Sequence, residues 1–191
     1  MRPILSIWVK PRQTFELLAE RDATENNKMI RILFFLTSMV AGFSSAKNFS
    51  ELFGGNIYVG LFIALLFSGL LGLFLWNTIF SFIIWGVGKI FQGKATKDKI
   101  KLVIAYSLIP NLVHLIIGLI LVILAVIMNN TGLINYQNPI TLFVLWIFTF
   151  RILIIGLAFF NKYSYGYAVL TVLIPGAIIQ GLVFGIKYFL G

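Results

Sequence analysis

The chain has no cysteine, a single histidine and only six acidic residues among 191. Without cysteine there is no disulfide scaffold, thiolate nucleophile, zinc ribbon or iron–sulfur ligand set. One histidine rules out a clustered-histidine metal centre. Charged residues make up 11% of the chain, against about 25% in ordinary soluble domains, too few to cover a globular surface with water-compatible groups. A soluble globule is therefore excluded. So is intrinsic disorder, because 19 Phe and 4 Trp would not stay in water. What the chain has instead is an apolar content of 60% and a net charge of +9.

Those charges are unevenly placed. Twelve of the 21 lie between Arg2 and Glu51, six more between Lys89 and Lys101, and only Arg151, Lys162 and Lys187 fall elsewhere. The charge-free runs cover residues 32–46, 52–88, 102–150 and 163–186, and a membrane-crossing helix needs about 20 predominantly apolar residues. The third run is too long for one crossing. Its middle, residues 129–139, is dense in Asn, Gly and Pro and reads as a loop. The expected fold is therefore all-α: a polytopic helical bundle with five spans, near residues 29–45, 58–88, 102–128, 140–160 and 166–190. The second, at 31 residues, makes a helix of about 46 Å, which must tilt, kink or extend past the bilayer.

Lys and Arg concentrate on the cytoplasmic side of membrane proteins. Twelve basic residues precede or open the first span or fall in the second and fourth connections, against Lys47 and Lys187 on the opposite side. This count places the N-terminus in the cytoplasm and the C-terminus outside, and it makes +9 a topology signal with no nucleic-acid partner behind it. The apolar stretch 4–9 is interrupted at Lys10-Pro11-Arg12, shorter than a secretory signal requires. Residues 1–28 are expected to form a cytoplasmic segment. Within it Pro11 opens an amphipathic helix that carries Phe15 and Leu18, lies in the interface and ends near residues 25–27, with Trp8 at headgroup level. Residues 29–191 form the membrane domain.

Small residues let helices approach closely in lipid. Gly60, Ala64, Ser68 and Gly72 recur every four residues in the second span, and Ala177, Gly181 and Gly185 do so in the fifth; each stripe serves packing within the chain or pairing with a second copy. In the third span Ser107, Asn111, His114 and Gly118 share one helical face, bordered by Tyr106 and Pro110. Counting along the spans puts His114 and Arg151 near mid-depth, with Asn77 and Gln180 close to the same layer. An arginine at such depth costs about 2.5–3.5 kcal/mol on insertion scales and marks a candidate functional site. No Asp or Glu lies within a span, so its partners would be polar side chains, carbonyls, water, an anion or a lipid headgroup.

Catalysis finds no support: there are no paired carboxylates in a span, no H-E-x-x-H and no phosphate-binding loop. Gly93-Lys94-Ala95-Thr96 lacks the glycine that such a loop needs upstream. No cofactor and no metal are expected. The basic run 89–101 is read as a loop drawn to anionic lipid.

The segments Trp8…Pro11-Arg12-Gln13-Thr14-Phe15, Gly86…Lys89…Gly93-Lys94-Ala95-Thr96, Ala105-Tyr106-Ser107-Leu108-Ile109-Pro110 and Trp146…Gly156-Leu157…Ser164…Ala168…Pro175 resemble the Yip family, the membrane domain named for Ypt/Rab-interacting proteins. The resemblance covers nearly the whole chain and implies five spans, with Pro11, Tyr106, Pro110, Gly156 and Ala168 as family-motif positions. For eukaryotic members it would imply Rab GTPase binding in vesicle traffic. This chain lacks their long N-terminal region and Asp-Leu-Tyr-Gly-Pro motif, so Rab binding is not carried over. It is similar to the short bacterial members, which implies the bacterial cytoplasmic membrane. The expected role is non-enzymatic: membrane organisation, with the bilayer, a membrane-protein partner or a second copy as partner. The alternative is a small transporter or channel using the Ser107/Asn111/His114 face and Arg151.

Overall fold

The computed structural model describes residues 3–135 and 138–190. Arg2, the loop residues Tyr136 and Gln137, and the side chain of Lys187 lie outside what it describes. Ten α-helices follow one another: α1 (Pro3–Val9), α2 (Pro11–Glu20), α3 (Ala23–Ser38), α4 (Val40–Leu52), α5 (Ile57–Leu75), α6 (Ser81–Ile90), α7 (Lys97–Ser107), α8 (Pro110–Ile127), α9 (Pro139–Asn161) and α10 (Tyr165–Leu190). A π-helical turn, Trp76–Phe80, joins α5 to α6, and a 3-10 turn, Thr131–Asn135, follows α8. No strand occurs among the described residues.

The boundaries follow local chemistry. Asp22, Asn56 and Asn138 accept the first free amides of α3, α5 and α9, the usual service of an N-cap. The Asp22 carboxyl is held below its ordinary range by the amides of Glu25 and Thr24. Pro11, Pro110 and Pro139 stand at the first positions of α2, α8 and α9, where the missing N–H costs nothing.

The expected spans are redrawn at two places. The first does not stop at residue 45: the Asp22 cap starts α3 at Ala23, and α4 runs on to Leu52 after a 49° bend. Thr37 Oγ1 donates to the Leu33 carbonyl at 2.6 Å just before that bend, a back-bond that bends helices. The third is not one helix. It breaks at Leu108–Ile109, because Pro110 cannot donate and restarts the chain as α8. The second is continuous: residues 57–90 form one rod of 34 residues, about 51 Å long.

Among the described residues, three helices are able by length and composition to cross a membrane, or four if α3 and α4 form one bent crossing. That pair runs antiparallel to the long rod along its length, with Ser50 beside Gly60, Gly42 beside Leu65, Phe35 beside Gly69 and Ser38 beside Gly72. A Cβ on Gly42 would lie 2.7 Å from the Leu65 Cα, and one on Gly60 would lie 2.6 Å from the Ser50 Cα. Only glycine permits such backbone contact.

Two cores stack along this axis. One joins α1, α2, α3, α7, the second half of α9 and the start of α10 through Ile7, Phe15, Leu18, Phe34, Val103, Ile152 and Ala168. The other joins α4, α5, α8 and the 3-10 turn through Phe43, Leu61, Leu65, Leu115 and Ile134. α7 belongs wholly to the first: residues 102–110 are all buried. Phe15 and Leu18 of α2 are likewise fully buried, so the apolar face of this helix meets protein, with Phe15 against Gly156 and Phe160.

Candidate functional site

Three breaks in helical regularity meet at one place. The α3–α4 bend contributes Thr37, Ser38, Val40, Ala41 and Ser44; the end of α5 and the π turn contribute Ser68, Gly72, Trp76 and Phe80; the α7–α8 break contributes Leu108, Asn111 and His114. Together with Leu142 of α9 they line an open groove of about 510 Å³ between the helices. A π turn inside a helix often marks a functional position. Here it widens the rod by one residue where the groove needs a wall, and the Thr78 hydroxyl turns back to the Phe74 carbonyl at 2.5 Å.

The polar groups of the groove fall into two sets. Thr37 and Ser44 satisfy carbonyls of their own helices, Leu33 and Ala41. Ser38 Oγ is buried without a hydrogen-bond partner among the described residues. Asn111 and His114, both half-buried, project into the same space. Polar atoms left open inside an apolar bundle need water or a ligand. His114 also borders a smaller cavity of about 90 Å³ with Thr141 and Asn138. Among the described residues no three His, Cys, Asp or Glu side chains gather as a metal site would require.

The residues singled out from the sequence are distributed over several places. Asn111, His114, Ser68 and Gly72 share the groove. Ser107 is buried and donates to the Ile104 carbonyl at 2.7 Å. Asn77 lines a different pocket with Arg31 and Thr78, and Gln180 is exposed on α10. Gly118 packs under the Phe43 ring. Gly60 and Ala64 are buried against α4, whereas Ala177 is exposed and Cβ atoms on Gly181 and Gly185 would meet open space.

Arg151 is not part of the groove. It is exposed on α9, and its Nη1 donates to the Trp8 carbonyl at 3.0 Å, closing the C-terminal end of α1, while the Trp8 ring rests on Phe148 at 5.2 Å. A cation at a helix C-terminus complements its dipole.

Asn161 is a polar centre that sequence reasoning passed over. It is buried, its Oδ1 accepts from the Ala95 amide at 3.2 Å, and its Nδ2 donates to the Tyr163 hydroxyl at 3.2 Å. Thr171 gives its own proton to the Tyr167 carbonyl, so Tyr163 must donate across the 3.0 Å contact with Thr171. Burial raises the Tyr163 phenol above its ordinary value, which keeps that donor protonated. Gly93 lies so close to Asn161 that a Cβ would collide with the amide. The 91–96 loop is thereby fixed to the α9–α10 connection. The only sequence signal was an asparagine closing a long apolar run, which reads equally well as an ordinary helix end.

The motif segments noted in the sequence meet in this half of the molecule. Pro11 starts the buried face of α2, Gly156 receives the Phe15 ring and Val103, Tyr106 and Pro110 are buried at the joint between α7 and α8, and Ala168 is buried in the first turn of α10. No curated protein and no solved structure matches the chain. The family model of the Yip1 domain matches residues 5–186, spanning all of these joints, and the chain belongs to that family of multi-pass membrane proteins.

Proposed function

We propose that this protein is a non-enzymatic, membrane-organising component of a bacterial cytoplasmic membrane, which holds a lipid or a membrane-protein partner in the groove between α3–α4, α5 and α8. The observation that carries this reading is the groove's form: it lies open between helices, and Asn111 and His114 line it with no side-chain partner among the described residues. Five crossings with a cytoplasmic N-terminus complete the reading. They are the bent α3–α4 path, the 57–90 rod, α8, α9 and α10, whose 26 residues would extend about 39 Å.

The test uses protein purified in detergent, free of bulk lipid. A photo-crosslinker at Ala41, in the groove, is expected to capture a retained lipid or membrane protein, identified by mass spectrometry. The paired change Asn111→Leu with His114→Leu should lower capture roughly thirtyfold, at about 1 kcal/mol for each hydrogen bond removed. Equal capture from Phe143, an exposed position outside the groove, would end this reading.

A transport reading draws on His114 standing between the groove and the second cavity toward Asn138. It requires solute flux in proteoliposomes that His114→Leu abolishes; flux that survives the change would remove it.

A further inference from the structure

The basic residues of the 89–101 stretch are largely engaged with the protein itself. Lys89 donates to the Gly93 carbonyl at 2.8 Å and lies over Trp85; Lys97 lies over Phe82; Lys99 donates to the Ala19 carbonyl and lies over Phe160; Lys101 pairs with Asp98. A different pair of cations faces open space. Arg12, at the start of α2, and Lys162, at the end of α9, border a groove of about 420 Å³ whose other walls are Ile155, Ala158 and Phe159 of α9 and the hydroxyl-bearing residues Tyr163, Ser164 and Tyr165.

This groove has the shape of an amphiphile. Ile155 and Phe159 follow one another at helical spacing along one face of α9, and Lys162, just past the helix end, borders the same groove, so an apolar wall runs up to a cation. Arg12 approaches from α2. Its Nε meets Glu16 at 3.4 Å, but both side chains are largely exposed, and such a pair is weak enough to yield to a stronger anion. Glu16 is not among the groove's lining residues. The Lys162 ammonium has no partner among the described residues. Its backbone is left-handed, with φ of 56°, a conformation that glycine adopts without strain and that a lysine adopts here while setting a cation at the groove's mouth.

Depth is set by Tyr163, Tyr165 and Tyr167, three tyrosines within five residues at the tip of an apolar helix pair. Tyrosines mark the headgroup level of a bilayer.

We infer that the Arg12–Lys162 groove binds the phosphate of an anionic glycerophospholipid from the leaflet that the α9–α10 connection faces, with its acyl chains lying along Ile155 and Phe159. The site is separate from the groove between α3–α4, α5 and α8, and it stands whether or not that groove holds a ligand.

The test is native mass spectrometry of the full chain in detergent, titrated with phosphatidylglycerol, phosphatidylcholine or glycerol 3-phosphate. Phosphatidylglycerol should be retained preferentially. Lys162→Gly, which suits the left-handed backbone, should weaken that retention about fivefold, and adding Arg12→Gln should weaken it roughly 25-fold in all, at the worth of one surface cation per step. Lys94→Gln, in the neighbouring loop, should leave it unchanged. Equal retention of the two lipids, an undiminished phosphatidylglycerol signal in the double variant, or displacement by glycerol 3-phosphate at equal concentration would each overturn the inference, the last by showing a site for free phosphate.

Discussion

Arg151 and Asn161 mark how far single residues can be read without coordinates. The arginine is legible as an anomaly, a full charge in an apolar run, but its partner is the Trp8 carbonyl 143 positions away. No periodicity links the two. Asn161 is less legible still, because its value lies in meeting Ala95, 66 positions away, across a contact that only Gly93 permits. Arg151→Leu is expected to leave the bundle inserted and to loosen α1, since the carbonyl loses a charge-assisted donor while the Trp8–Phe148 contact remains. At roughly 1 kcal/mol for an exposed bond of this kind, amide exchange in α1 should accelerate about fivefold, with α9 unchanged. Hydrogen–deuterium exchange by mass spectrometry reads this directly, and unchanged exchange in α1 would show that Arg151 does not hold it.

Elements were legible where apolar length decides them. The 57–90 rod, α8 and α9 follow from charge-free runs, because every buried backbone group in lipid must bond within its own helix. Where the chain breaks, the deciding forces are local: a back-bonded Thr37, a π turn and a proline that restarts α8. Hydropathy averages over such features, and α7 was absorbed into a crossing for that reason. The two small-residue stripes looked alike in sequence, yet their surroundings differ. Gly60 faces the α4 backbone, whereas Gly181 faces open space. Gly60→Leu should therefore force α4 and α5 apart and cost roughly 2 kcal/mol of overpacking, seen as a lower thermal midpoint in detergent. Gly181→Leu should stay within about 0.5 kcal/mol of the wild type. A drop in oligomer mass on light scattering with Gly181→Leu would instead assign that stripe to pairing between copies.

At the scale of the whole molecule the long rod sets the problem. About 51 Å of helix exceeds a hydrocarbon core of about 30 Å, so one of the two stacked cores must reach into or beyond the headgroups. The first core is the candidate, because α1, α2 and α7 enclose it and the cations of α7 and the 91–96 loop gather there. The side of the membrane on which that core lies depends on whether α3 and α4 cross as one bent path. If they do, Lys28 and Gly54 lie on opposite sides; if the 49° bend returns the chain, they lie on the same side. The absence of native cysteine makes the distinction clean, since a single introduced thiol is the only one to react. With an impermeant maleimide added to intact cells, Gly54→Cys should label, while Lys28→Cys, Lys94→Cys and Lys162→Cys should label only after the membrane is opened. Gly54 suits this role because a Cβ there meets nothing within 4 Å, although its φ of 83° imposes some local strain on any other residue. Asn130→Cys, in the α8–α9 connection, provides a second outer position. Labelling of Lys28→Cys and Gly54→Cys together in intact cells would reduce the crossings before the rod to a re-entrant loop. The charge asymmetry argues against that outcome, because it would strand the six basic residues from Arg2 to Arg31 on the outer side.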